Sequence, residues 1–330
     1  MMATAAKVRW GIVGVAKINN RLLPGFHMAS RAELTAVASR SLDRAREAAL
    51  AADIPVAYGS YEALLDDPAI DAVYIPLPNS LHAEWTRRAA DRGKHILCEK
   101  PLTPGASEAA DLVAYCKDKG VQLMDGFMWP HHSRTARLRQ LLDSGTLGGI
   151  QRVTGTFTFP LNADGSNIRL QPELGGGSLL DVGCYPVYGI RWAFGAEPVA
   201  VYARATYEYG VDVAMTGLLW LADGRMASFD CGFGQSLRGW LEVAGREGSL
   251  FVPEMWVPGR RANYWIRREG REPEELVVDG EQQIARMIDN FSQAVQTGTP
   301  VRPAADEAVR TLRVLDALAR SARDRREVSL

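Results

Sequence analysis

The chain has few cysteines, only four in 330 residues, and Cys98, Cys116, Cys184 and Cys231 form no C-x-x-C pair. That spacing gives neither a disulfide framework nor a zinc site and fits reduced, intracellular thiols. Neither sign of charge dominates: 38 Lys and Arg face 39 Asp and Glu, a formal charge of -1. No global field therefore draws the chain to nucleic acid or to an anionic membrane surface. No apolar run approaches the roughly 18 residues that a spanning helix needs. The start, Met1 to Lys7, is small and polar, and the apolar stretch after it is broken by Arg9 and Gly11, unlike the core of a signal peptide. These absences predict a cytoplasmic protein with no nucleic-acid partner, no membrane and no metal.

What is present is an ordinary globular composition, 47% hydrophobic and 23% charged, in a chain longer than one core usually supports. Two domains are expected, 1–125 and 126–330. Up to Met124, short apolar runs (Val8–Val13, Leu34–Ala38, Ala72–Ile75, His95–Cys98, Val121–Met124) alternate with helical segments such as Ser41–Ala52 and Leu81–Arg92. Continuous apolar strands separated by helices predict a parallel sheet covered on both faces, a doubly wound α/β Rossmann domain. After Gly126, one helix (Thr135–Ser144) precedes strand patterns at 151–159, 199–207, 214–221, 225–231 and 240–244. Strands in series without helices predict an α+β domain with a large, mostly antiparallel open sheet. Two helices close the chain, over 282–296 and 304–323, and the C-terminal helix is expected to pack back on the first domain.

The first strand runs into Gly11-Ile-Val-Gly14-Val-Ala16-Lys17-Ile18-Asn19. This fits G-x-G-x-x-G only at Gly14, with Ala16 and Asn19 at the other two positions. Its physical logic survives, because a small residue at 16 lets the backbone approach a pyrophosphate and the following helix offers N-terminal N–H groups. A tight packing turn would read the same way. The second strand ends in Ala38-Ser39-Arg40-Ser41, followed by Arg44, where NAD enzymes commonly place a carboxylate for the ribose hydroxyls. Arg40 and Arg44 can grip a 2′-phosphate that a carboxylate would repel, and Ser39 can hydrogen-bond it, so NADP is preferred to NAD.

Three separated motifs then occur in order: Tyr74-Ile-Pro76-Leu77-Pro78-Asn79-Ser-Leu-His82, Cys98-Glu99-Lys100-Pro101, and Gly175-Gly-Gly177-Ser-Leu-Leu-Asp181-Val-Gly183-Cys-Tyr185-Pro186. Together they resemble the glucose-fructose oxidoreductase/inositol dehydrogenase/rhizopine catabolism protein (Gfo/Idh/MocA) family of oxidoreductases. The resemblance covers Val8 through Pro186 and agrees in pattern beyond. It implies that Lys100 stands beside the nicotinamide and the reacting oxygen, and that Asp181 and Tyr185 are the motif's aspartate and acid/base residue. The dinucleotide would lie over Gly14, Ala16, Lys17 and Ile18, beside Pro76, Leu77, Pro78 and Asn79, and near Glu99. The family's open sheet often forms a dimer interface, so a homodimer or homotetramer is expected.

Independently of the family, Lys100 ends a buried parallel strand, where open α/β sheets place their ligands. If the chain is helical from Leu180, Asp181 and Tyr185 share a face at i and i+4, while Gly183 and Pro186 limit the helix before them. Hydride transfer needs a cation and a proton relay at the substrate oxygen. Tyr185 would exchange the proton, Lys100 would stabilise tyrosinate and polarise the oxygen, and Asp181 would orient substrate or Lys100. Tyr185 in place of histidine is similar to the aldose dehydrogenase, glucose-fructose oxidoreductase, dihydrodiol dehydrogenase and nucleotide-sugar 3-ketoreductase branches.

The chain departs from the family at Pro130, where an arginine often follows the aromatic Trp129. Trp129 is a candidate for stacking on nicotinamide or sugar, or a packing residue, and His82 a cofactor contact or a helix cap. Asn162–Gln171 reads as an exposed loop or a substrate lid. The expected function is an NADP-dependent oxidoreductase for a small sugar or sugar-like substrate, of aldose 1-dehydrogenase or glucose-fructose oxidoreductase type. The alternatives are a nucleotide-sugar 3-ketoreductase, with Arg134, Arg137 and Arg169 as diphosphate contacts, and a non-catalytic NADP-binding sensor.

Overall fold

The computed structural model describes residues 6–161, 167–280 and 282–330. Two compact units divide the chain: one comprises Met1–Thr103, Ser107–His131 and Glu281–Val309, the other Pro104–Ala106, His132–Gly280 and Arg310–Leu330. Among the described residues no helix is long and apolar enough to cross a membrane.

The first unit runs β1 (Val8–Val13), α1 (Asn19–Met28), β2 (Ala32–Ala38), α2 (Leu42–Ala51), β3 (Val56–Tyr58), α3 (Tyr61–Leu65), β4 (Ala72–Ile75), α4 (His82–Asp91), β5 (His95–Cys98), α5 (Ala106–Asp118) and β6 (Leu123–Asp125). The strands form one sheet in the order β3-β2-β1-β4-β5-β6, and every pairing is parallel. The strand order reverses between β1 and β4, so the crevice beyond their carboxyl ends is the ligand position of such a sheet. The three-residue edge strand β3 was not predicted; it is too short for periodicity to register. Ser41 and Ser60 cap α2 and α3 with their hydroxyls.

The helix α8 (Gln283–Thr297) belongs to this unit. Ile284, Met287, Ile288 and Phe291, at i, i+3, i+4 and i+7, join the same core as Trp10, Ile12 and Phe26, the stripe that an amphipathic helix buries. Trp10 is the hub: its ring meets Phe26 at 5.4 Å and Phe291 at 5.2 Å, and its Nε1 donates to Ser292 Oγ at 3.1 Å.

The second unit contains α6 (Ser133–Asp143), β7 (Ile150–Pro160), α7 (Cys184–Phe194), β8 (Pro198–Glu208), β9 (Val211–Leu221), β10 (Met226–Gly232), β11 (Gly234–Arg238), β12 (Leu241–Gly245), β13 (Ser249–Val252), β14 (Arg261–Arg267) and β15 (Glu274–Asp279). Most of α9 (Asp306–Asp324) and all of β16 (Val328–Ser329) also lie in it. A large mixed sheet is ordered β15-β14-β13-β12-β7-β10-β9-β8-β16, with β11 on β7. All its pairings are antiparallel except β7 with β10. The hairpins β8–β9 and β9–β10 fold β10 back beside β7 in the same direction. Glycines let α7 lie close on the sheet: a Cβ on Gly155 of β7 would stand 3.0 Å from Pro186 Cβ, and one on Gly189 would stand 2.5 Å from Trp256.

Candidate active site

In the first unit the expected cofactor residues collect at the carboxyl edge of the sheet. Gly14 follows β1 with φ +127°, a conformation that a side chain rarely adopts. A Cβ there would also stand 3.0 Å from Leu77 Cδ2. Gly14 donates its N–H to Ala38 O at 3.0 Å, and its carbonyl accepts from Asn19 Nδ2 at 2.9 Å. Asn19, at the third position of the degenerate fingerprint, thus pins the turn with a side chain where the fingerprint has glycine. Ala16, Lys17 and Ile18 form the turn leading into α1, and Lys17 is exposed.

At the end of β2, Ser39 is buried and Arg40 exposed, with no ion pair to Arg40 among the described residues. Arg44 sends Nη2 to Val15 O at 3.1 Å, tying α2 to the dinucleotide turn. A bare glycine cradle, a cation at Arg40 and no carboxylate at 38–41 together fit a dinucleotide carrying a 2′-phosphate.

Beyond β4 and β5, one network organises two loops. His82 is wholly buried, with Nε2 2.8 Å from Leu77 O and Nδ1 2.9 Å from Pro101 O. Burial, helped by the nearby Lys100 charge, holds its pKa below the usual imidazole value. Both ring nitrogens face backbone carbonyls and the neutral ring donates its single N–H to one of them, so His82 positions the Pro76–Asn79 and Lys100–Pro101 segments; it neither caps α4 nor presents a nitrogen to ligand. Glu99 accepts from the Tyr74 phenol and from the Lys100 N–H at 3.2 Å. A Cβ on Gly126 would crowd Cys98 O and Glu99 at 3.2 to 3.3 Å. Lys100 itself is half-buried at the carboxyl end of β5, before a cis peptide to Pro101.

Asp125, the last residue of β6, was missed in the sequence. Burial, then the charges of Glu307 and Glu99, push its carboxyl up to about 7. Trp129 is also fully buried; packing around the whole ring leaves no face for the stacking considered above. His131 is buried with Nδ1 2.9 Å from Asn290 Nδ2. His132 Nδ1 accepts the Arg134 N–H at 2.9 Å and caps α6. The adjacent histidines therefore perform separate structural tasks.

In the second unit the third motif forms a single helical run that begins as a π-helix, Leu179–Gly183, and continues as α7. Pro186 offers no N–H to the carbonyl four residues back, and its ring crowds that carbonyl. The wider π turn relieves the crowding, which lets the helix start well before Gly183. Asp181 and Tyr185 therefore lie in one continuous helical run. Gly177, with φ +115°, opens it, and a Cβ there would meet Asp212 Oδ1 at 2.5 Å. Tyr185 is 4% exposed, edge-on to Phe157 at 5.0 Å and 6.0 Å from Trp256.

Two further residues hold this run. Asp212 of β9 accepts from Ser178 Oγ at 2.7 Å and from the Leu179 N–H at 2.6 Å; burial raises its pKa. Its only sequence signal was a carboxylate between valines in a strand. Arg169 donates Nε to Asp181 Oδ2 at 2.6 Å and lies over the Phe159 ring at 5.8 Å. It sits in the 3₁₀ turn Ile168–Leu170, within the stretch read as loop or lid; residues 162–166 of that stretch lie outside the described residues.

The cations expected to meet a diphosphate all have partners within the protein, and Arg134 is fully committed to them. Arg134, 1% exposed, donates to the carbonyls of Pro253, Asn263, Glu254 and Met255 at 2.8 to 3.4 Å. It is a structural residue. Arg169 is paired with Asp181, and Arg137 faces Tyr264.

Residues 8–127 match the oxidoreductase family with an NAD-binding Rossmann fold, and residues 135–251 match the Gfo/Idh/MocA C-terminal domain. A D-xylose 1-dehydrogenase (NADP(+)) of Haloferax volcanii is 42% identical over 95% of this chain and 97% of its own length. A crystal structure of a 3-ketoreductase from Actinomadura kijaniata in complex with NADP and TDP-benzene superposes with a TM-score of 0.90, at 34% identity over 96% of this chain and 98% of that one. An aldose-aldose oxidoreductase from Caulobacter crescentus, complexed with glycerol, gives 0.91 at 27% identity over 98% and 100%.

Proposed function

The chain belongs to the Gfo/Idh/MocA oxidoreductase family, and on that premise we propose that it is an NADP-dependent aldose 1-dehydrogenase acting on free sugars. The Gly14 cradle, with Ala16 to Ile18 beside it, would hold the pyrophosphate, and Ser39 and Arg40 the 2′-phosphate. Pro76 to Asn79 and Glu99 would line the remainder. The bound nicotinamide supplies the hydride chemistry.

Tyr185 takes the proton of the hydroxyl being oxidised, or returns it in the reverse direction. The Lys100 ammonium stabilises the charge on the reacting oxygen. Asp181 accepts a hydrogen bond from the sugar and fixes its orientation. His82 and Tyr74 hold the Lys100 segment from behind, and Asp212 holds the start of the run that carries Asp181 and Tyr185.

The observation that carries the free-sugar reading is the commitment of Arg134 to four backbone carbonyls. One of the three cations considered for a nucleotide diphosphate is thereby spent within the protein. The 42% identity to a D-xylose 1-dehydrogenase supports the same reading. The test is to assay the purified protein with NADP⁺ and free aldopentoses and aldohexoses, and with NADPH and a TDP-linked 3-ketosugar. Turnover of free aldoses is expected. Turnover of the nucleotide sugar alone would transfer the assignment to the 3-ketoreductases, and tight NADPH binding without turnover of either class would favour a sensor.

A further inference from the structure

Resting on the aldose reading above, we infer that Arg169 determines sugar selectivity: with Asp181 it forms a donor and acceptor pair that reads two neighbouring hydroxyls beyond the reacting carbon. The Arg169 Nε is used by Asp181 Oδ2 at 2.6 Å. The two terminal nitrogens form no hydrogen bond among the described residues, and the side chain is 39% exposed. A guanidinium so arranged presents two coplanar donors beside a carboxylate acceptor. One hydroxyl can donate to Asp181 while its neighbour accepts from Arg169.

The arrangement is fixed before any sugar arrives. The Arg169 carbonyl accepts the Gly177 N–H at 2.9 Å, and a Cβ on Gly176 would stand 2.6 Å from that same oxygen. The glycine triplet therefore allows residue 169 to pack directly against the start of the π turn. The Phe159 ring supports the guanidinium from one side, 5.8 Å from its centroid. Ordering cost on binding is correspondingly low. A free surface arginine would have neither the backbone clamp nor the aromatic support.

The experiment measures kcat and KM for an accepted aldose and for its 2-deoxy and 3-deoxy analogues, using wild type, Arg169→Gln and Arg169→Lys. Wild type is expected to disfavour at least one deoxy analogue by about ten- to a hundredfold in kcat/KM, the worth of a charge-assisted hydrogen bond. Arg169→Gln should raise KM for the parent sugar, leave kcat within a fewfold, and collapse the preference over that analogue. Arg169→Lys keeps the charge beside Asp181 without the coplanar pair, and should lose most of the preference while retaining the wild-type melting temperature. It therefore answers the question should the glutamine variant fail to fold. A preference unchanged in the lysine variant, or KM rising equally for parent and analogues, would overturn the inference while leaving the aldose assignment intact. A wild type inactive on every free aldose would overturn both.

Discussion

The carboxylate of Asp212 accepts the Leu179 N–H at 2.6 Å, so a residue of β9 closes the otherwise open start of the helical run bearing Asp181 and Tyr185. The first N–H groups of a helix need such a partner, and Gly177 supplies the backbone path that brings them to it. Asp212→Ala would leave the Leu179 N–H and the Ser178 hydroxyl without their acceptor. A loss of about 2 kcal/mol in urea unfolding is expected, within the range for a lost charged cap, together with a fall in kcat. An unchanged unfolding midpoint would show that the cap does not support this run.

Removing either proposed reacting group should stop turnover while leaving the fold. Tyr185→Phe keeps the ring that meets Phe157 edge-on and deletes only the phenolic oxygen. Both Tyr185→Phe and Lys100→Ala should lower kcat by about 10²- to 10⁴-fold, as expected for an acid/base group, with NADPH still bound by fluorescence titration. Near-normal turnover in both variants would rule out the mechanism.

The coenzyme preference should reside at the end of β2. Arg40→Ala is expected to raise the KM for NADP⁺ by about tenfold or more, the worth of one charge-assisted contact, and to leave the KM for NAD⁺ nearly unchanged. Parallel increases for both coenzymes would place the 2′-phosphate elsewhere.

Asp125 should make stability depend on pH. Its carboxyl stays protonated in the folded protein up to about 7, whereas in the unfolded chain it ionises near 3.9, the usual value for aspartate. Between those values the folded state holds the extra proton, so this contribution falls as pH rises and levels off above the folded value. Asp125→Asn removes the term. From pH 5 to 8 its melting temperature should decline less than that of the wild type, and at pH 8 it should be the more stable protein by a few kcal/mol, with about 4 as the ceiling set by the shift. Parallel melting curves at all pH values would contradict this.

Much of the cofactor edge was legible because it depends on local order. Continuous apolar strands alternating with helices place Gly14, Ser39, Pro76 and Lys100 at strand ends, and a parallel sheet puts all those ends on one edge. His82 and Trp129 were not legible, since a histidine that touches ligand and one that braces two loops have the same sequence neighbours. The structure separates them by burial and by what the ring nitrogens meet. Arg134 and Arg169 likewise read as available cations, and only their partners, four carbonyls and one carboxylate, show how the charges are used.

By itself the sequence determined the period of each element and the spacing of Glu99-Lys100-Pro101 and of the glycine triplet with Asp181 and Tyr185, because these follow from covalent order and short-range sterics. Tertiary structure alone decided that β10 runs beside β7, that Asp212 reaches back to Leu179 from 33 residues away, and that Asp125 lies deep enough to hold its proton. Such features depend on which distant side chains share a volume from which water is excluded. Nothing in the local order of residues specifies that volume.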